Sequence, residues 1–209
     1  EGDLHHRRKL SYRATQFAGN GWVLVGDAAG FLDPFYSPGL DWLAFTSNAA
    51  SRLTLSGLKD SFTDLRVKRH NEAFASSYDH WFRSVYKDKY FYMGELDLMD
   101  IAFRSDLGSY YAGVVKPLLA GRSKNWNRPP FSHPKARRAA RFLTFTNARF
   151  VKIAARRRKR EKLQRKNHDS FRSFRSFELD WTLRLRLFGL RLRWLGAEVG
   201  ALFEKFKNS

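Results

Sequence analysis

GWVLVGDAAGFLDPFYSPGLDWLAFTSNAASRL, residues 21–53, is the stretch on which the fold turns. Trp22-Val23-Leu24-Val25 is a short apolar run bounded by glycines, the pattern of a buried strand. Gly26-Asp27-Ala28-Ala29-Gly30 follows at once and predicts a tight turn or a close backbone approach. Asp33-Pro34-Phe35-Tyr36-Ser37-Pro38-Gly39 is then an irregular segment held by two prolines. From Leu40 the spacing predicts a helix to about Leu55, with Leu40, Leu43, Ala44, Ser47 and Ala50 on one face and Ser37 as its N-cap. Strand, turn, loop and helix start make a good seat for a polar ligand, because N–H groups at a helix N-terminus carry partial positive charge.

The run VGDAAGFLDPFYSPG, residues 25–39, resembles the Gly-Asp motif of the flavin-dependent monooxygenase, halogenase and geranylgeranyl-reductase superfamily. The resemblance implies FAD as cofactor. It makes Asp27, within Gly26-Asp27-Ala28, the partner of a ribityl hydroxyl. It puts Pro34 beside the flavin ring, with Ser37, Gly39 and Leu40 at the helix start that meets the ring's pyrimidine edge. Reduced flavin is anionic there, and a helix N-terminus stabilises such charge. In halogenases of this superfamily the segment ends Ser-Thr-Gly, and its N–H groups help bind halide. Pro38 stands here where the threonine would be and has no N–H to offer, which weighs against halogenation. The catalytic lysine of halogenases lies upstream of the motif in that family, so no catalytic residue is assigned here.

A flavoprotein of this kind seats its pyrophosphate on a G-x-G-x-x-G loop. No such loop occurs among the 14 glycines. The expectation is therefore a C-terminal portion of an FAD-dependent oxidoreductase, an enzyme-family fragment inactive alone. The expected fold class is an α/β fragment, the strand–turn–helix of an FAD-binding domain, followed by a mainly helical region and a basic extension. Its segments would be 1–58, the remnant of the FAD-binding domain; 59–120, helical; 121–135, a linker rich in Pro and Asn; and 136–209, the basic extension.

Upstream, Leu10 to Phe17 reads as a strand, with Ala18-Gly19-Asn20-Gly21 turning into the Trp22 strand. Tyr12, Arg13 and Gln16 are site candidates from that strand, and surface residues on the plainer reading. Downstream, aromatic residues recur at helical spacing from about Ser61 to Tyr92 and from Glu95 to Leu119, where Pro117 limits the helix. That density reads as helix packing. It also suits a lid over an apolar or aromatic small-molecule substrate. Phe35 and Tyr36 are read equally as flavin neighbours or as a cap on the helix. His70 and His80 lack metal-ligand spacing, and Glu95, Asp97, Asp100 and Asp106 show no acid–base pair. No metal is expected.

The charge is uneven. Residues 1–121 are neutral overall, whereas residues 122–209 hold 25 Lys+Arg against 6 Asp+Glu, the whole net charge of +19. A basic helix is expected from Ala136 to about Asn167, with Arg156–Arg160 as a solvated run. Leu183-Arg-Leu-Arg-Leu-Phe-Gly-Leu-Arg-Leu-Arg-Trp-Leu alternates on either side of Phe188-Gly189 and predicts a basic β-hairpin, followed by a short helix from Gly196 to Phe206. Such an extension suits peripheral contact with an anionic membrane. Nucleic acid is disfavoured, because no recognised binding fold accompanies the charge. The absence of cysteine excludes a disulfide framework and suits a reducing compartment, so a cytoplasmic protein with peripheral membrane contact is expected. Two functions of different class stand: part of a flavoenzyme, or a basic module that docks on a membrane or polyanion without catalysis.

Overall fold

The computed structural model describes residues 10–59, 64–115, 129–132, 134–167 and 182–206. Most of the expected linker, together with Ser61, Pro117 and Leu119, lies outside them. The chain divides into two compact units, Glu1–Tyr86 with Ala112–Arg141, and Lys87–Tyr111 with Phe142–Ser209. The units cut across the segments drawn from composition, because the helix after residue 60 packs with the Gly-Asp stretch.

In the first unit, strands β1 (Tyr12–Arg13), β2 (Ala18–Gly19), β3 (Trp22–Val23) and β4 (Gly30–Phe31) are each two residues long. The β2–β3 pair is a hairpin closed by Asn20-Gly21, with Gly21 at φ 77° in the region only glycine adopts freely. The β1 strand does not join that hairpin. It pairs antiparallel with β4, beyond the Gly-Asp turn, with Tyr12 opposite Phe31. Helix α1 (Gly39–Lys59) buries Trp42, Phe45, Thr46 and Ala50. The expected face is thus misplaced by part of a turn: Leu40, Leu43 and Ala44 are exposed, because the bulkier Trp42 and Phe45 take the core. Helix α2 (Asp64–Trp81) continues as a π-helical turn at Phe82–Tyr86. The single helix expected to Tyr92 ends there, at Asp88 with φ 60°. Phe17, Trp42, Phe74, Tyr78 and Trp81 form the core, and the Trp42 ring meets Phe17, Phe74 and Tyr78 edge-on at centroid distances of 5.7–6.3 Å. Edge-to-face geometry suits the ring quadrupoles.

In the second unit, α3 (Leu96–Tyr110), α4 (Pro134–Lys159, from Phe142 on) and α5 (Thr182–Phe206) surround Tyr92, Leu98, Ile101, Phe150, Ile153 and Ala201. Helix α4 stops at Lys159, short of Asn167. Lys162 N–H reaches Arg157 O at 2.9 Å and Glu161 N–H reaches Arg158 O at 3.2 Å, with Glu161 at φ 53°. This is a Schellman ending without its usual glycine. The chain then turns back, and Asn167 caps α3 by accepting from Leu96 N–H at 2.9 Å.

The hairpin expected at Leu183–Leu195 is not formed; the segment is helical within α5. Leu190, Trp194, Ala197 and Ala201 recur at 4-3-4 spacing and pack on the core of the unit. A helix satisfies its own backbone hydrogen bonds, whereas an isolated two-stranded hairpin is marginal in water. The short helix expected from Gly196 is the second half of this longer one.

Candidate functional site

Gly26 is the fulcrum of the Gly-Asp stretch. Val25 is extended, and Gly26–Ala28 makes a single 3-10 turn. Gly26 sits at φ 55°, where a Cβ would come within 2.9 Å of Leu43 Cδ1. Helix α1 holds this residue at both ends. Gly26 N–H donates to Thr46 Oγ1 at 2.8 Å, and Trp42 Nε1–H donates to Gly26 O at 3.1 Å. The Thr46 hydroxyl accepts from Gly26 while donating to Trp42 O at 2.8 Å, one turn back along its own helix. Ala29 N–H closes the turn on Gly26 O at 3.0 Å. From the other side, Tyr12 O–H donates to Asp27 O at 2.6 Å. The Asp27 backbone is thereby clamped, while its side chain stays exposed.

The proline loop is built as tightly. Asp33 Oδ1 accepts from Phe35 N–H at 2.9 Å, an Asx turn. Ser37 N–H returns to Pro34 O at 3.0 Å. Tyr36 and Ser37 both lie in the left-handed region, at φ 66° and 49°. Two consecutive non-glycine residues there store strain, about 1–3 kcal/mol each. The Phe35 and Tyr36 rings lie 4.0 Å apart and pack against the core of the first unit. That packing favours the capping role over contact with a ligand. The N-cap of α1 is Pro38, whose carbonyl accepts the first helical bond from Trp42 N–H at 2.9 Å. Ser37, expected there, stands one residue further out, because the turn at Pro34–Ser37 uses it up.

Of the seven residues singled out from sequence, Gly26 is buried and Asp27, Ala28, Pro34, Ser37, Gly39 and Leu40 are exposed. Leu40 is 79% exposed and Leu43 43%, so an apolar surface adjoins the turn at the start of α1. Space around Gly39 is open: an added Cβ would meet nothing within 4 Å. Among the upstream candidates, Tyr12 reaches the turn. Arg13 instead pairs with Asp79 at 2.9 Å, and Gln16 is an exposed residue with no role in the turn. Trp42, Thr46 and Tyr78 were not singled out as site residues. Tyr78 O–H donates to Phe31 O at 2.8 Å, and burial, aided by Asp79, pushes its pKa up to about 12, so it remains a donor. The one legible signal was Trp42 and Thr46 at i, i+4 on the helix that follows the turn.

The remaining titratable candidates are structural. His70 packs on Phe74 with centroids 4.7 Å apart, and burial lowers its pKa. His80 Nδ1 lies 2.6 Å from Ser76 O. Among the described residues no group of His, Asp or Glu is arranged to hold a metal. In the second unit, Arg157 is buried and spans Glu95 at 2.5 Å and Asp97 at 2.7 Å. The Arg156–Arg160 run is thus not wholly a solvated face. Burial raises the Asp97 pKa, but hydrogen bonding and charge from Arg157 outweigh it and hold the carboxyl below its usual value. Lys89, also buried, pairs with Asp106 at 2.5 Å. Tyr92 O–H donates to Asn147 Oδ1 at 2.5 Å, and its pKa is raised by burial and then by Asp106.

Several curated proteins share parts of this sequence. Over 80 residues the chain is 38% identical to the flavin-dependent halogenase armH1 of Armillaria mellea, which covers 37% of this chain and 15% of that protein. Over 128 residues it is 27% identical to the flavin-dependent halogenase chlA of Dictyostelium discoideum, covering 57% and 20%. Over 48 residues it is 42% identical to the flavin-dependent halogenase malA of Malbranchea aurantiaca, covering 23% and 7%. The aligned parts therefore span a fifth or less of these relatives. No family model matches the chain, and no solved structure matches it.

Proposed function

We propose that the chain is part of an FAD-dependent, halogenase-like oxidoreductase and contributes the ribityl and ring end of the flavin site. The observation that carries this reading is the clamped Gly-Asp turn. Gly26 is held by Trp42 and Thr46 in a conformation that suits glycine, and the adjoining Asp27 carboxylate is exposed. The names of the relatives support the same class of chemistry. These residues fit the group. An exposed carboxylate on a clamped backbone takes a ribityl hydroxyl, the N-terminus of α1 favours negative charge at the ring edge, and open space lies over Gly39.

Bound FAD supplies the redox chemistry; the protein binds and orients. Asp27 fixes the ribityl chain, and Tyr12 fixes Asp27 through its carbonyl. Exposed Leu40 and Leu43 offer an apolar flank that excludes water beside the ring. The substrate class proposed is apolar or aromatic. Pro38 removes one backbone donor from the loop, so its halide contact is weaker than with a donor residue there.

Titration of this chain with riboflavin and with FAD, followed by quenching of flavin fluorescence, tests the reading. Because the sequence has no G-x-G-x-x-G loop, both should bind with similar, weak affinity. Asp27→Ala should weaken both about tenfold or more, the worth of a charge-assisted hydrogen bond. Asp64→Ala, an exposed carboxylate on α2, should change neither. Unchanged flavin binding in the Asp27 variant, with its fold intact by circular dichroism, removes the assignment.

A further inference from the structure

We propose that α4 and α5 of the second unit form one face that adsorbs to an anionic lipid bilayer. The inference rests on the second unit alone and does not depend on the flavin reading. The two helices run parallel and in register. The Arg191 guanidinium lies 5.8 Å from the Phe142 ring centre, the Phe145 and Trp194 rings are 6.1 Å apart, and Arg149 pairs with Glu198 at 2.5 Å. Each of these pairs is separated by 49 residues.

That register places two sets of residues one after the other along the helix pair. On α5, Leu192, Leu195 and Val199 are 52%, 47% and 47% exposed, and they lie opposite the row of Leu190, Trp194, Ala197 and Ala201 that docks on the core. On α4, Lys152 and Arg156 follow Arg149 at i+3 and i+7, so they share the flank that meets α5, and both are exposed. At that separation Lys152 stands level with Ala201 and Arg156 one turn further on, so the cationic pair on α4 begins where the aliphatic row on α5 ends.

Five acids of the unit are already engaged within it. Glu95, Asp97, Asp100, Asp106 and Glu198 are each engaged by an arginine or lysine inside the unit: Arg157, Arg104 and Arg193, Lys89, and Arg149. These five acids are spent inside the unit, while Lys152 and Arg156 face out. A nucleic acid would meet the cations but leave the leucines in water. A bilayer with acidic headgroups matches both sets, the aliphatic side chains entering the headgroup boundary and the cations its phosphate plane. No helix among the described residues is long and apolar enough to cross a membrane, so the contact is one of adsorption in the interfacial plane.

Co-sedimentation of the full chain with vesicles tests this, using phosphatidylcholine alone and phosphatidylcholine with phosphatidylserine, at low and high salt. Binding is expected with phosphatidylserine at low salt, and its loss at high salt. Lys152→Gln with Arg156→Gln should weaken it roughly 25-fold, about fivefold per charge. Leu192→Gln with Leu195→Gln should weaken it as well, since both positions are exposed and the fold does not need them. Absence of phosphatidylserine-dependent binding overturns the proposal. So does wild-type binding by the leucine double variant, which would make the face a general polyanion surface. A homodimer at equilibrium that Leu195→Gln dissociates also overturns it, because a second copy then covers the row.

Discussion

The indole N–H of Trp42 donates to the carbonyl of Gly26 across 3.1 Å, tying the first turn of α1 to the turn that precedes it by a dozen residues. Thr46 completes the hold from the next helical turn. The Gly-Asp turn is thus positioned by the helix it feeds. Thr46→Val, which keeps the shape and removes the acceptor, leaves Gly26 N–H buried without a partner. Urea unfolding should show a loss of about 1–3 kcal/mol.

Gly26→Ala tests the backbone rather than the bond. The Leu43 methyl that a Cβ would meet at 2.9 Å is a flexible side-chain end and yields cheaply. The φ of 55° does not yield. A destabilisation of about 1–2 kcal/mol is expected from placing an L side chain in the left-handed region. Gly39→Ala, at open space, should change stability by less than about 1 kcal/mol.

Arg157 and Arg156 are neighbours in a uniform basic run with opposite fates, one buried between Glu95 and Asp97 and the other exposed. Arg157→Leu should cost about 3–5 kcal/mol, since it strands a buried carboxylate. Arg156→Leu should stay within about 0.5 kcal/mol. Comparable losses in the two variants would refute the buried network.

Gly189 distinguishes the helix from the hairpin. In α5 an added Cβ at Gly189 meets nothing within 4 Å, and its φ is not positive. Gly189→Ala should therefore raise stability by about 0.5–1 kcal/mol through helix propensity and reduced unfolded-state entropy. At the turn of a hairpin the same substitution would lower it.

Among the described residues, His70 and Asp97 contribute to the response to acid. Burial depresses the His70 pKa below its usual 6.5, so the unfolded chain binds the extra proton first. Stability should fall as pH drops from about 6.5 toward the depressed value, then level off. His70→Phe should abolish that phase of a pH series of thermal melts. Asp97 is depressed as well, by Arg157 against its burial. Its contribution is present above about 3.8 and is lost as pH falls through the lower folded value.

Much of this was legible in the residues. The prolines flanking the loop and the helix after it are local features, set by backbone preference and spacing, and they stand where the sequence puts them, whereas the apolar run Trp22–Val25, expected as a buried strand, is a strand only at Trp22–Val23, with Trp22 exposed. The helical runs after residue 60 were legible too, although their ends were not. The stops at Asp88 and Glu161 use non-glycine residues in left-handed conformations, which leave no mark in composition.

What the sequence determined by itself was chemistry and local geometry: a Gly-Asp turn between an apolar run and a helix start, and a net positive charge confined to residues 122–209. Only the tertiary structure decided which face of α1 is buried, which arginine of a basic run turns inward, and that Leu183–Leu195 is helical. The reason is physical. Leu and Arg at alternate positions are compatible with strand and helix alike. The choice then falls to the surface against which Leu190, Trp194, Ala197 and Ala201 pack, and that surface is made of residues up to a hundred positions away.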